Sequence, residues 1–90
     1  MRTIKRTAQF KRDYKREKQG QHRVTLDNKL FKIIQLLVID AKLPESIHDH
    51  FLTGKLKDCH IKPDLILIYR KINDDTLELL RLGSHRELGF

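Results

Sequence analysis

The sequence predicts an α+β domain in which two N-terminal helices pack on an antiparallel β-sheet, in the order β-α-α-β-β-β. Two observations support this fold class. An apolar stripe of helical period runs through residues 25–40, and three strand-like segments joined by short turns follow within residues 55–82. Helices that cover one face of a hairpin-connected sheet are typical of α+β proteins. With 90 residues, we expect one domain, residues 1–90, with a small core.

The first half of the chain predicts a weak strand and two helices. Arg2–Arg6 has weak strand character, and Thr7 is a suitable N-cap for a helix over residues 8–19 that Gly20 would end. This helix is mostly basic, so we expect it on the surface. The second helix, over residues 25–40, is stronger. Its apolar residues at helical spacing are Leu26, Leu30, Ile33, Ile34 and Leu37.

Three strands are predicted over residues 55–61, 65–72 and 76–82. The segments Lys62-Pro63-Asp64 and Asn73–Asp75 supply the turns between them. The middle strand is the most apolar, so we expect it at the centre of an antiparallel meander. The course of the meander brings His60, Asp64 and His85 to one end of the sheet. The backbones of His60 and His85 should lie about 10 Å apart across two strand spacings.

The net charge of +7 is concentrated at one end of the chain. Residues 1–23 contain nine Lys/Arg and two acids (9 − 2 = +7), whereas residues 24–90 contain ten of each (10 − 10 = 0). A one-ended excess of positive charge attracts polyanions, either a nucleic acid or an acidic protein. The simpler interpretation is a solvated helix face.

The cellular compartment is predicted from the cysteine and from the apolar segments. A single cysteine excludes an internal disulfide framework, which favours a reducing, cytoplasmic environment. The longest mostly apolar run, residues 33–39, is far shorter than the roughly 20 residues that span a bilayer. No segment near residue 1 resembles a signal peptide, because polar residues follow Arg2, Lys5 and Arg6.

The five histidines allow three interpretations. A metal site could use His48 and His50 with Cys59 or His60, but Cys59 and His60 would point to opposite sides of a strand, and no paired ligand motif exists. Hydrogen bonding to the backbone is the favoured role for His22 and remains open for His48. The third interpretation is acid–base chemistry. We therefore expect no metal and no cofactor.

Acid–base chemistry suits the predicted cluster, because imidazole exchanges protons near neutral pH. Cleavage of an RNA phosphodiester needs one group to remove the 2′-OH proton, another to protonate the departing 5′-oxygen, and a cation at the phosphate. Each well-placed acid or base accelerates such a step roughly 10²–10⁴-fold. Converging histidines, an aspartate and a basic surface match these needs without a metal ion.

Two segments, DHFLTGKLKDCHIKPDLILIYR (residues 49–70) and LELLRLGSHRELGF (residues 77–90), give the sequence a clear family resemblance. The chain resembles the YafQ branch of the RelE/ParE superfamily of bacterial toxins over essentially its whole length. The resemblance implies a RelE-like, microbial-RNase-like fold and a type II toxin–antitoxin module. It also implies a metal-independent endoribonuclease that cleaves mRNA on the ribosome and inhibits translation.

The resemblance implies the products and the partners as well. Attack by the neighbouring 2′-OH would leave a 2′,3′-cyclic or 3′-phosphate and a 5′-OH. The partners would be the ribosome with its mRNA and a cognate antitoxin that silences the toxin. Operator DNA would be contacted only through the antitoxin. Two alternatives remain open: inhibition of DNA gyrase, as in the ParE branch, and a nucleic-acid-binding module without catalysis.

The resemblance also assigns site residues. His50 and His85 would be the base and the acid, in either order. His60 would orient or stabilise charge at the phosphate, and Asp64 would hold a histidine tautomer or contact the substrate. Two departures from the family pattern are visible. The segment between Gly54 and His60 is short and lacks a common arginine, and a leucine, Leu65, replaces a common tryptophan. The residues expected to bind RNA or stabilise charge are Lys55, Lys57, Arg81 and Phe90.

Overall fold

The protein folds as two helices against a mixed sheet in the computed structural model, which describes residues 1–47 and 55–89 and the backbone of residues 50–53. The elements are β1 (Thr3–Arg6), α1 (Ala8–Lys18), α2 (Leu26–Val38), a 3₁₀ turn (Glu45–Ile47), β2 (His50–Thr53), β3 (Leu56–Lys62), β4 (Leu65–Ile72), β5 (Thr76–Gly83) and α3 (His85–Leu88). The described strands form one sheet in the order β1-β5-β4-β3-β2. Among the described residues, no helix combines the length and the apolar character needed to cross a membrane.

The α+β fold class is confirmed, and the structure adds three short elements to the predicted order: the 3₁₀ turn, β2 and α3. Strand β2 pairs antiparallel with β3 through a register shift, and α3 has four residues; both are too short to show a hydrophobic period. The sheet is also mixed, because β1 pairs parallel with β5 at its edge. The local sequence does not show in which direction two strands pair when a long connection separates them. The prediction of an antiparallel sheet is therefore corrected at β1, which is parallel to β5.

The core lies between the helices and one face of the sheet. All five residues of the predicted α2 stripe are buried, and they join Cys59, Leu67 and Leu82, which lie side by side on β3, β4 and β5. Leu65 belongs to the same core and is 0% exposed. The residue that replaces the family's common tryptophan is therefore a packing residue and not a surface for stacking on RNA.

Helix α1 covers the half of the β5 edge that β1 leaves open. Strand β1 pairs with β5 only as far as Leu79, and the chain then enters α1 at its predicted N-cap, Thr7, whose side chain accepts a hydrogen bond from the Phe10 amide. Further along, Asp13 Oδ2 accepts from the Leu82 amide at 3.0 Å, and Arg16 Nη2 donates to the Leu82 carbonyl at 2.8 Å. Side chains of α1 thus replace a missing strand and satisfy backbone groups that would otherwise lack partners.

Candidate active site

Three sequence-predicted residues meet at one end of the sheet. His60 lies near the end of β3, Asp64 in the turn before β4, and His85 at the first position of α3. The Nε2 atoms of His60 and His85 are 3.3 Å apart, and His85 Nδ1 is 3.2 Å from Asp64 Oδ1. The side chains of His85 and Asp64 are about half exposed, at 47% and 55%. This rim of the sheet is accessible to a large substrate.

The hydrogen bonds fix how protons are arranged in this cluster. A carboxylate at Asp64 accepts the proton of His85 Nδ1, so neutral His85 presents the lone pair of Nε2 towards His60. Hydrogen bonds from the side chain of His85 and then from its amide lower the pKa of Asp64. The carboxyl group of Asp64 therefore ionises more readily than that of an ordinary aspartate. At 3.3 Å, one of the two facing Nε2 atoms can donate a hydrogen bond while the other accepts it.

Helix α3 sets the position of His85. The Ser84 side chain accepts from the Glu87 amide, and Glu87 Oε1 accepts from the Ser84 amide at 2.9 Å, which is a capping box. Arg16 Nε lies 2.9 Å from Glu87 Oε2 and ties α3 to α1. A side chain at Gly83 would place Cβ 2.7 Å from Arg16 Nη2, so glycine allows this close approach. The Ser84-x-x-Glu87 spacing is a helix-start signal that our sequence analysis missed.

Asp13 is a buried acid that holds a candidate phosphate-binding residue. It is 0% exposed, and its Oδ2 lies 2.7 Å from Arg81 Nε. Burial alone would raise the pKa of Asp13, but its hydrogen bonds, chiefly from Arg81, outweigh burial and hold that pKa below its ordinary value. Asp13 and Glu17 lie three and seven residues after the buried Phe10 and therefore share its helix face. This spacing indicates that both acids are buried, although the sequence alone did not lead us to expect it.

The comparison with known families decides the identity of the chain. A family model described as "Bacterial toxin of type II toxin-antitoxin system, YafQ" matches residues 2–89. The chain belongs to the YafQ toxin family. The resemblance predicted from the two sequence segments is thereby confirmed.

Relatives of the chain support the same assignment. The mRNA interferase toxin YafQ of Escherichia coli K12 is 37% identical over 90 residues, covering 94% of this chain and 97% of the relative. The YafQ chain in the crystal structure of the E. coli DinJ–YafQ complex has a TM-score of 0.82 and 35% identity, with 98% of each chain covered. A copper-bound mutant toxin from Helicobacter pylori has a TM-score of 0.79 and 36% identity, covering 98% of this chain and 99% of that one.

The other predicted site residues of this YafQ-family chain are distributed less tightly. The backbone of His50 pairs with Asp58, which is two residues from His60 on β3. Lys57 pairs with Tyr69 and, by strand alternation, lies on the face of β3 opposite to His60. Lys55 is an exposed turn residue before β3. The side chain of His50, together with His48 and Phe90, lies outside the described residues.

His22 borders the site, although the sequence analysis gave it only a backbone-bonding role. Its Nδ1 lies 3.4 Å from Lys62 Nζ, and its charge contributes to the lowered pKa of Asp64. This proximity depends on how the α1–α2 connection folds against the β3–β4 turn, which no local pattern reveals. Within the described part of the chain, no three His, Cys, Asp or Glu side chains come together as metal ligands.

Proposed function

We propose that this YafQ-family toxin is an endoribonuclease that cleaves mRNA on the ribosome and so inhibits translation. The observation that supports this proposal most is the 3.3 Å contact between the Nε2 atoms of His60 and His85, with Asp64 bound to the far side of His85. Relatives named mRNA interferase support the substrate class. The chemistry uses imidazoles and no metal ion.

The reaction is a transesterification followed by hydrolysis. The 2′-oxygen forms a bond to the adjacent phosphorus as its proton passes to an imidazole, and the bond from phosphorus to the 5′-oxygen breaks as that oxygen takes a proton from a second imidazole. The products are a 2′,3′-cyclic phosphate and a 5′-OH, and water later opens the ring to a 3′-phosphate. His85 is one proton carrier, because Asp64 holds its Nδ1 and leaves Nε2 to exchange a proton with the substrate. His60 and His50 supply the second carrier and a charge at the phosphate.

Arg81 is the cation best prepared to stabilise the phosphorane. Asp13 holds its Nε, so the guanidinium is oriented before substrate arrives, and preorganised charge of this kind lowers the barrier most effectively. Arg81 lies on β5 opposite Ile68, two residues before Gly83, and this short distance along the strand brings it towards the end of the sheet that holds His85.

The toxin is silenced by a cognate antitoxin. The DinJ–YafQ complex supports such a partner, and the exposed basic residues of α1, among them Lys11, Arg12 and Lys15, form a surface suited to an acidic protein or to ribosomal RNA. Operator DNA is contacted through the antitoxin alone. Added salt should weaken both kinds of contact, because it screens the charges.

The decisive variant is His85→Gln, which retains hydrogen bonding but does not titrate. We expect cleavage to fall at least about 100-fold, measured by mapping the 5′ ends of mRNA on ribosomes after induction. Arg86→Gln, at the exposed next position of α3, should cleave like the unmodified toxin. A 2′-deoxy nucleotide at the cut site should block cleavage by removing the attacking group.

Three outcomes would overturn parts of this proposal. Growth arrest with intact mRNA would exclude ribonuclease action, and inhibition of DNA supercoiling in the same cells would favour a gyrase inhibitor. Unchanged cleavage by His85→Gln would remove that residue from the chemistry. Loss of cleavage on chelation, with recovery on adding copper or zinc, would replace the metal-free reaction by a metal-dependent one.

A further inference from the structure

A groove of about 580 Å³ lies between α2 and the end of β3, beside the histidine pair. Its volume is within the roughly 300–1,000 Å³ typical of sites for small ligands. Leu36, Ile47 and Pro63 supply apolar walls, and His60 lines the groove as well as the active site. A substrate segment in the groove would therefore be continuous with the residues that perform the chemistry.

The rim of the groove is positively charged. Lys29 and Lys32, both exposed and one turn apart on α2, stand on one side, and Lys62 stands on the other. Lys62 Nζ lies 3.4 Å from His22 Nδ1, which adds a titratable group beside it. None of the described residues that line the groove is acidic. The groove therefore attracts an anion that also has an apolar face.

We propose that this groove binds the nucleotide next to the scissile linkage, with its base against Leu36, Ile47 and Pro63. Its phosphate lies at the lysine rim. Single-stranded nucleic acids are held in this way, by cations along the backbone and by apolar or aromatic surfaces under the bases. The inference depends on the proposed ribonuclease function and adds to it a subsite that determines which nucleotides flank the cut.

The first test removes charge from the rim. With programmed ribosomes, Lys29→Ala/Lys32→Ala should raise the half-saturating toxin concentration about tenfold and leave the maximal cleavage rate within about twofold, because His60 and His85 are untouched. The log–log slope of binding affinity against salt concentration should also fall by about 0.7, the value for one lost phosphate contact on a single strand. The control Lys5→Ala/Lys42→Ala removes the same charge from exposed positions outside the groove. It should change the half-saturating concentration and the salt slope by less than the groove variant does.

The second test examines the base. For the unmodified toxin, an abasic nucleotide should raise the half-saturating toxin concentration when it stands at one particular position beside the cut. In Leu36→Ala, which alters the groove wall, the abasic nucleotide should raise the half-saturating concentration less at that position. The loss of the base and the loss of the Leu36 side chain remove the same contact, so their effects are not additive. Additive effects at every position would overturn the base contact.

The outcomes separate the groove from the function on which it depends. If the unmodified toxin leaves mRNA intact, the ribonuclease proposal fails and this subsite fails with it. If it cleaves, and the Lys29/Lys32 variant behaves like the Lys5/Lys42 control, only the groove assignment fails. A variant that weakens antitoxin binding without changing cleavage would show that the groove binds protein.

Discussion

Asp13 shows how one side chain connects the packing of this toxin with the chemistry that we propose for it. A fully buried carboxylate is costly unless every oxygen is satisfied. Here Arg81, Arg16 and the Leu82 amide supply donors, so the charge is retained inside the fold. The same bonds fix the guanidinium that we assign to the phosphate. The packing of the fold and the proposed phosphate contact of Arg81 therefore depend on the same acid.

Replacing Asp13 should destabilise the fold. In Asp13→Ala, Arg81 and the Leu82 amide lose their acceptor, and breaking a buried charge pair on one side lowers the free energy of unfolding by about 3 kcal/mol. Urea denaturation measures this change. Asp74→Ala, at an exposed turn position, should cost less than about 0.5 kcal/mol. Equal effects of the two variants would contradict the role given to Asp13.

At the scale of elements, α3 shows how a four-residue helix can position His85, which we propose as a proton carrier. So short a helix is not stable by its own hydrogen bonds. The Ser84–Glu87 capping box, the Arg16–Glu87 ion pair and the bond from the His85 amide to Asp64 replace that missing stability. His85 is thus held by its neighbours more than by its helix.

Ser84→Ala should separate positioning from folding. Loss of the cap costs about 1 kcal/mol, and a small displacement of His85 should reduce cleavage about tenfold or more, since catalysis is sensitive to shifts near 1 Å. The melting temperature and the cleavage rate on programmed ribosomes are measured together. Ser84→Thr retains the capping oxygen and should restore most of the rate; a rate as low as that of the alanine variant would exclude the cap as the cause.

The elements that sequence reasoning found are those with a repeating pattern. Strand β4 was predicted at its observed limits, and the α2 stripe is buried as expected, because hydrophobic period is set locally by burial. The meeting of His60, Asp64 and His85 followed from the direction of three strands. Strand β2, with four residues, is too short to show a hydrophobic period. The parallel edge and the Asp13–Arg81 pair depend on contacts between distant segments, which no local pattern encodes.

At the scale of the whole molecule, Asp40 ties three parts of the chain together. It follows α2 with a left-handed φ of 56° and binds Arg2, just before β1, and Lys71 on β4 at 2.8 and 2.7 Å. Hydrogen bonds from Lys71 and then Arg2 lower the pKa of Asp40 from 3.8 to about 2. The helix, the edge strand and the sheet centre share this carboxylate.

The lowered pKa of Asp40 predicts a specific loss of stability in acid. Because the folded pKa lies below the unfolded one, the contribution of Asp40 is complete above about pH 4 and disappears as the pH falls towards 2. Asp40→Asn, which tolerates a left-handed backbone, should be less stable than the unmodified toxin at pH 7 and equally stable near pH 2. Urea midpoints across this pH range measure the difference. A constant difference at all pH values would contradict the assignment.

The parallel pairing of β1 with β5 has a consequence for biosynthesis. Residues 3–6 pair only with residues 76–79. Likewise, Asp13 on α1 gains its hydrogen-bond donors Arg81 and Leu82 only when β5 is present. Pairing across so many residues is slow, and it has to follow translation of the distant strand. The N-terminal strand and helix therefore acquire their partners only when synthesis of the chain is nearly complete, and until then the sheet lacks its parallel edge.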